Sequence, residues 1–140
     1  MAEGDCTVAN NWKELLWLGT HNATTDTFKV ALSTATITAD GATLGYSDIS
    51  AQEISGSGYT AGGTALTSLA VSQDDTNNWG KWDAADATWT ALAAATLTSA
   101  WVYDDTLAGD PIVCAFEIAT NSNGGDYTLA FGSNGIITLG

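Results

Sequence analysis

Alternating apolar and polar positions in the last third of the chain predict a series of β-strands. The runs are four to eight residues long, are rich in β-branched and aromatic residues, and cover residues 96–103, 112–118, 127–131 and 136–139. Asp, Asn, Ser and Gly separate these runs and favour turns between them. Because side chains alternate across a strand, each run directs its apolar side chains to one face. The pattern therefore predicts an antiparallel meander whose apolar face needs a second layer.

The preceding part of the chain contains further strand patterns that can supply this layer. Strands are predicted over residues 28–32, 66–72, 79–83 and 88–90, with an extension or separate strand at 35–38 and a turn at Asp40 and Gly41. The glycine- and serine-rich residues 47–65 predict a loop, with a short strand around Glu53 and Ile54. About eight strands fit two packed antiparallel sheets. A mainly β protein with a jelly-roll-like antiparallel β-sandwich is therefore expected.

One short helix is expected near the N-terminus, over residues 12–18. Trp and Leu side chains recur at helical spacing in this segment. Glu14 follows Asn11 by three residues, as in a capping box, and Gly19 suits the residue just past a helix end. A helix this short is unstable alone, so we expect it to pack over one end of the sheet core.

The length of the chain, 140 residues, corresponds to one domain. We expect a single β-sandwich domain over residues 1–140, with residues 1–9 forming a polar N-terminal arm. The longest apolar runs are about one strand long, far below the ~20 residues of a membrane-spanning helix. Residues 1–5 lack the basic and apolar regions of a signal peptide, so synthesis in a cytoplasm is expected.

The charge balance excludes one class of partner. The chain has 16 acidic residues, three lysines and no arginine, for a net charge of −13. Nucleic-acid backbones are bound by Lys and Arg, so nucleic-acid binding is not expected. The same charge is repelled by anionic membranes, so no membrane partner is expected either. A general contribution of this charge to solubility remains an equal alternative to a role specific to one partner.

The sequence offers few groups for catalysis or metal binding. His21 is the only histidine, and no nucleophile motif accompanies it, so a catalytic triad is not expected. One His and two Cys are too few for a zinc site. Paired carboxylates in the acidic loops could serve calcium binding or glycoside hydrolysis, but they lack EF-hand spacing and equally favour turns. These aspartates are Asp74, Asp75, Asp83, Asp86, Asp104, Asp105 and Asp110. We therefore predict no catalytic, cofactor-binding or metal-binding residues.

Two cysteines lie far apart in the sequence. Cys114 falls on an apolar strand face, where a buried thiol behaves as a small hydrophobic group. A reducing cytoplasm disfavours a disulfide between Cys6 and Cys114, although the sequence leaves that pairing open.

Several fragments together carry a resemblance to a known family. They are residues 29–32, 47–50, 53–63, 83–90, 101–106 and 135–139, and the Gly-Tyr-Thr-Ala-Gly-Gly element at 58–63 is the most specific of them. In order and rough spacing over residues 11–139, the chain resembles small virion structural proteins of tailed bacteriophages. The resemblance implies a non-enzymatic capsid decoration, or cement, protein on the outer head surface. It brings no catalytic residues with it.

The resemblance also implies partners. A decoration protein binds the major capsid protein, and the three-fold sites of capsid lattices favour a homotrimer, since repeated proteins form closed symmetric assemblies. A tail or neck component of the same particle is one alternative function. A carbohydrate-binding module that uses some of the six tryptophans is another.

The tryptophans divide into core and contact candidates. Trp89 and Trp101 lie beside leucines in strand patterns and are expected in the core. Trp79 and Trp82 are three residues apart on an extended segment, so their side chains point to opposite faces. We therefore predict that at least one of them is exposed and contacts a partner, because exposed Trp is a frequent interface anchor.

Overall fold

The computed structural model describes residues 6–36 and 44–140, which form mainly antiparallel β-structure. The strands are β1 (Cys6–Val8), β2 (Phe28–Ser33), β3 (Thr64–Ala65), β4 (Ala70–Asp74), β5 (Trp79–Asp83), β6 (Ala87–Trp89), β7 (Ala95–Asp104), β8 (Ile112–Ser122), β9 (Tyr127–Leu129) and β10 (Ile137–Leu139). The helices are α1 (Asn10–Trp17) and α2 (Tyr46–Ile49), and a 3₁₀ turn at Ser50–Gln52 follows α2. The predicted mainly β, antiparallel class is confirmed.

The largest sheet has five strands in the order β1-β8-β7-β2-β3, with every pair antiparallel. Its centre is the long hairpin of β7 and β8, where every residue of β7 from Ala100 to its end is buried. Burial on both faces explains the continuous apolar run in this half of β7, because a strand covered on both sides has no solvent-facing positions. The hairpin is therefore the core of the molecule.

A three-stranded sheet, β10-β5-β4, and a two-stranded ribbon, β6-β9, provide the second layer. Trp82 of β5 packs edge-on against Phe28 of β2, with ring centroids 4.8 Å apart and an interplanar angle of 65°. Phe116 of β8 and Phe131 form another ring contact, with centroids 5.7 Å apart. Aromatic contacts of this kind add to area burial, so they help to hold the layers in a sandwich-like arrangement.

The predicted C-terminal meander is wrong beyond its first hairpin. β7 and β8 pair as expected, but β9 pairs with β6 and β10 pairs with β5. Gly135 explains part of this arrangement, since a side chain there would meet the carbonyl oxygen of Trp82 at 2.6 Å. The hydrophobic pattern therefore located these strands, whereas their partners depend on close backbone contacts that the pattern does not encode.

The strand predicted at residues 66–72 is also corrected. The chain instead forms the short β3, then a break, then β4. Ser68 has a φ of 56°, a left-handed conformation that ends an extended run.

Glu53 makes only an isolated bridge to Ser33 rather than a strand with Ile54. The prediction for residues 35–38 falls partly outside the described residues, and the turn at Asp40 and Gly41 falls wholly outside them.

The N-terminal segment differs from its prediction in three ways. α1 begins two residues earlier and ends one residue earlier than expected. The residue before it is Ala9, whose side chain makes no capping hydrogen bond, so the predicted capping box of Asn11 and Glu14 is wrong. Residues 6–8 form β1 on the edge of the large sheet rather than a polar arm, and residues 1–5 lie outside the description. A second helix, α2, was not predicted. Gly19, with a φ of 69°, does follow the end of α1 as expected. No helix of the described segments is long and apolar enough to cross a membrane.

Candidate functional site

The glycine-rich loop at residues 53–63 is organised by one carboxylate. Glu53 accepts hydrogen bonds from the hydroxyls of Tyr46 at 2.6 Å and Tyr59 at 2.5 Å, and from the N–H of Gly62 at 2.8 Å. The Tyr59 hydroxyl in turn accepts a hydrogen bond at 3.0 Å from the N–H of Leu32 in β2. Hydrogen bonds to an ionised acceptor are stronger than neutral ones. Glu53 therefore holds the loop against the central sheet.

The two consecutive glycines of this loop lie against the backbone of the sheet. Gly62 and Gly63 have φ values of 93° and 75°, which favour glycine. A Cβ on Gly63 would collide with the carbonyl oxygen of Val30. The Tyr103 hydroxyl donates to the carbonyl oxygen of Gly62 at 2.6 Å. The most specific element of the sequence is thus required by the close approach of the loop to the sheet.

Burial and nearby negative charge raise the pKa of Tyr59 in the loop and of Tyr46 and Tyr103, which lie beside it. Burial, followed by the hydrogen bond to Glu53 and its charge, raises the pKa of Tyr46 to about 12. Burial and the hydrogen bond to Glu53 raise the pKa of Tyr59 further. Burial, then the negative charge of Asp105, raises the pKa of Tyr103. These hydroxyls therefore remain protonated donors at ordinary pH and serve the architecture of the loop.

We expect stability to fall at alkaline pH because of these tyrosines. Their pKa in the folded protein exceeds the ordinary tyrosine value of 10.0, so their contribution is complete below about pH 10. It is lost as pH rises through the folded pKa, which for Tyr46 is about 12. Thermal unfolding measured from about pH 8 to 12 should show a constant midpoint that begins to fall near pH 10. A midpoint that stays constant throughout this range would contradict the expectation.

The single histidine belongs to a buried hydrogen-bonded pair. The Nδ1–H of His21 donates to Oδ2 of Asp104 at 2.6 Å, and both side chains are fully buried. The second oxygen of Asp104 accepts the N–H of Thr106 at 2.9 Å. Asp26 completes a group whose ligand-type atoms lie within 4.8 Å of one another. This pair ties the segment between α1 and β2 to the end of β7.

The group of His21, Asp26 and Asp104 is already occupied by protein contacts. Nδ1 of His21 is bonded to Asp104, and Oδ2 of Asp26 accepts the N–H of Asn22 at 2.6 Å. Nε2 of His21, the atom that would accept a proton from a nucleophile, is buried and has no hydrogen-bond partner among the described residues. The geometry therefore suits a structural hydrogen bond, and the absence of catalytic and metal-binding residues stays a prediction.

Other aspartates of the acidic loops organise turns. Asp74 accepts the N–H groups of Thr76 and Asn77, both at 3.0 Å, and the side-chain amide of Asn77 at 2.7 Å. The side-chain and backbone hydrogen bonds from Asn77 lower the pKa of Asp74. Asp86 instead accepts the N–H of Phe131 at 2.9 Å, a contact between distant parts of the chain. The expectation that these aspartates suit turns is therefore met at Asp74.

The two cysteines lie close together as free thiols. Burial, followed by a hydrogen bond with Cys6, raises the pKa of the Cys114 thiol well above its ordinary value. Cys114 is thus a small apolar residue in β8, as its strand position predicted.

The structure separates the two tryptophans predicted to contact a partner. Trp82 is buried, and its Nε1–H donates to the carbonyl oxygen of Ala23 at 2.8 Å, so it belongs to the core. Trp79 is only partly buried, and its Nε1–H donates to Asp74 at 3.2 Å. Partner contact through Trp79 stays a prediction, whereas Trp82 offers no comparable surface. Trp89 and Trp101 lie in the core, which confirms that expectation.

Sequence reasoning missed the most exposed tryptophan. Trp17 is 90% exposed at the end of α1. Helical spacing contained the signal, because Trp17 lies four residues after the exposed Lys13, whereas the buried Trp12 and the inward-facing Leu16 form another stripe. Trp17 is therefore a stronger candidate for an interface anchor than Trp79.

Two surface grooves complete the candidate sites. We call the first the apolar groove; it has a volume of about 120 Å³ and lies between α1 and the three-stranded sheet. The second, the threonine groove, has a volume of about 400 Å³ between the glycine-rich loop and β6. Its lining includes Thr60, Thr64, Thr88 and Thr90, next to the ring of Tyr59.

Comparison with known proteins adds no assignment to these features. Searches against protein-family models, curated proteins and solved structures find no match to this chain.

Proposed function

We propose that this protein is a non-enzymatic structural component of a tailed-bacteriophage particle, and that it decorates the outer surface of the head. It would bind the major capsid protein as a homotrimer. In that role the protein adds contact area across the seams between capsid subunits. Its net charge of −13 suits the outside of a particle, away from the packaged nucleic acid.

The observation that carries the proposal is the spatial convergence of four of the six fragments that resemble the phage family. Residues 29–31 lie in β2 and pair with residues 101–103 of β7. The 53–63 loop is bonded to both strands, through Leu32 and Tyr103. These fragments are scattered in the sequence, yet they form one continuous framework. The resemblance therefore concerns residues that contact one another in the fold, which supports the proposal more strongly than separate strand patterns would.

Two further contacts extend this framework. Lys29 forms an ion pair with Asp105 at 2.9 Å, which joins the fragment at residues 29–32 to the fragment at residues 101–106. Trp89, from residues 83–90, stacks on Tyr59 with ring centroids 6.5 Å apart. A fourth fragment thus packs on the glycine-rich loop.

Immunogold labelling of purified particles tests the proposal. Antibodies against the protein should label the heads of particles produced by the phage that encodes it, and mass spectrometry should find the protein in those particles. Labelling confined to the tail or neck would support the alternative virion position instead. Absence of the protein from purified particles would overturn the structural role altogether.

Carbohydrate binding is a second candidate, favoured by the threonine groove. Hydroxyl groups beside an aromatic ring suit sugar ligands, because the ring offers an apolar face and the hydroxyls offer hydrogen bonds. Trp89 is buried at the base of this groove, so Tyr59 is the ring with accessible surface. A glycan array probed with the parent protein and with Thr64→Val tests this candidate. Glycan binding by the parent protein that Thr64→Val loses would favour carbohydrate binding over a purely structural role.

A further inference from the structure

Two thiols lie next to each other at one edge of the large sheet. β1 forms this edge and pairs antiparallel with β8, with Cys6 opposite Phe116 and Val8 opposite Cys114. Residues two apart on a strand share a face, and so do residues directly opposite each other, so both thiols lie on one face along a diagonal. The two thiol groups are within hydrogen-bonding range of each other. They therefore form a dithiol pair rather than two isolated cysteines.

The two members of this pair differ in their access to solvent. Cys114 is completely buried, whereas Cys6 is partly exposed. Burial raises the pKa of the Cys114 thiol, which makes this thiol a poor nucleophile towards a reagent in solution. A reagent from solvent therefore reaches Cys6 first.

A third groove opens beside the accessible thiol. It has a volume of about 220 Å³, and we call it the thiol groove. Cys6 and Val8 of β1 line it together with residues 134–138. Asn134 and Thr138 belong to this lining, and their side-chain types can hydrogen-bond a peptide-like molecule. The thiol groove is therefore suited to hold part of a small polar disulfide beside Cys6.

We propose that Cys6 and Cys114 form a redox-sensitive site that exchanges with low-molecular-weight disulfides of the glutathione type. The Cys6 thiolate attacks one sulfur of the disulfide, which forms a mixed disulfide on Cys6 and releases the first glutathione as its thiolate. Cys114 then loses its proton and attacks the Cys6 sulfur, which releases the second glutathione. The two released thiolates take up the two protons that the cysteines lose. Two cysteine thiols are thus oxidised to one disulfide, and one oxidised glutathione is reduced to two thiols.

The diagonal placement makes the product disulfide easy to reduce. Diagonal neighbours on antiparallel strands have Cα atoms roughly 7–8 Å apart, whereas a disulfide spans at most about 7 Å without backbone movement. The Cys6 end of β1 must therefore move towards Cys114, while its other end stays anchored where the N–H of Ala9 donates to the carbonyl oxygen of Val113 at 2.9 Å. Strained disulfides are readily reduced, so the pair stays a dithiol in a reducing cytoplasm and closes in an oxidising compartment. The site thus fixes β1 covalently to the sheet according to redox conditions, and the inference does not rest on a position in a particle.

Reaction of the purified full chain with oxidised glutathione tests this site. The remaining thiols are alkylated and the products are identified by intact-mass spectrometry. The parent protein should lose both free thiols and retain no glutathione, as an intramolecular disulfide requires. Cys114→Ala should stop at a mixed disulfide on Cys6. Cys6→Ala should lose its thiol at least about tenfold more slowly than the parent, because a buried thiol is inert.

Hydrogen exchange measures the effect of the disulfide on the strand. The amide hydrogens of β1 should exchange about tenfold more slowly in the oxidised parent than in the reduced parent, because a covalent link suppresses local opening of an edge strand. Dithiothreitol should reverse this protection. If circular dichroism shows that Cys114→Ala is unfolded, the parent and Cys6→Ala decide, since Cys6 is only partly buried.

Four outcomes would overturn the proposal. The parent could accumulate a stable mixed disulfide, form disulfide-linked dimers on a non-reducing gel, or keep both thiols free. Equal rates of thiol loss in the parent and in Cys6→Ala would show that Cys6 does not mediate the oxidation of Cys114.

Discussion

Gly63→Val is expected to prevent folding, or to lower the free energy of unfolding by about 3 to 5 kcal/mol. Two costs combine at this position. The φ of Gly63 is 75°, which a β-branched residue adopts only with strain, and its Cβ would collide with the backbone of Val30. The backbone of β2 cannot move away without breaking its pairing with β7, so the collision cannot be relieved locally.

Urea denaturation of Gly63→Val, Gly62→Val and Ser57→Ala compares their free energies of unfolding and tests this prediction. Gly62→Val should cost about 1 to 3 kcal/mol, because its φ of 93° is strained while its Cβ would meet only the hydroxyl of Tyr103, at 3.4 Å. Ser57→Ala, at an exposed position, should change stability by less than about 0.5 kcal/mol. Equal midpoints for all three variants would show that the loop does not pack on β2.

The sequence predicted the strands better than their partners. β7 and β8 are long apolar runs joined by a short connection, so pattern and proximity in sequence lead to the same hairpin. β10 has only three residues, and its pairing with β5 depends on Gly135 approaching the backbone of Trp82. Such an approach is a property of three-dimensional packing, and a hydrophobic pattern does not contain it.

The candidate site was predictable only in part. The run of glycines around Tyr59 identified the loop as unusual, because consecutive glycines suggest restricted backbone conformations. The sequence predicted Glu53 only as part of a short strand. Its hydrogen-bond donors lie in α2 and in the loop itself, at no fixed sequence spacing, so the sequence pattern does not reveal its role. Trp17, which is exposed, lies outside the apolar stripe of α1, and its helical spacing from Lys13 was the signal that could have identified it.

Asp104→Ala is expected to lower the free energy of unfolding by about 3 to 5 kcal/mol. The substitution removes the only hydrogen-bond acceptor described for His21. The imidazole then stays buried between the rings of Trp12 and Phe28, whose centroids lie 6.1 and 6.3 Å from the centroid of the imidazole. It also removes the acceptor of the Thr106 N–H. A buried polar group that loses its partner retains the full cost of its desolvation.

Asp105→Ala is the matched control, because the neighbouring carboxylate makes its ion pair with Lys29 while about a third exposed. Exposed ion pairs contribute little, so this variant should lose less than about 1 kcal/mol. A double-mutant cycle with His21→Ala separates the His21–Asp104 hydrogen bond from the remaining contacts of Asp104, and a coupling energy of about 1 kcal/mol or more is expected for directly bonded buried groups. Equal unfolding free energies for Asp104→Ala and Asp105→Ala would mean that the buried pair does not anchor the segment between α1 and β2.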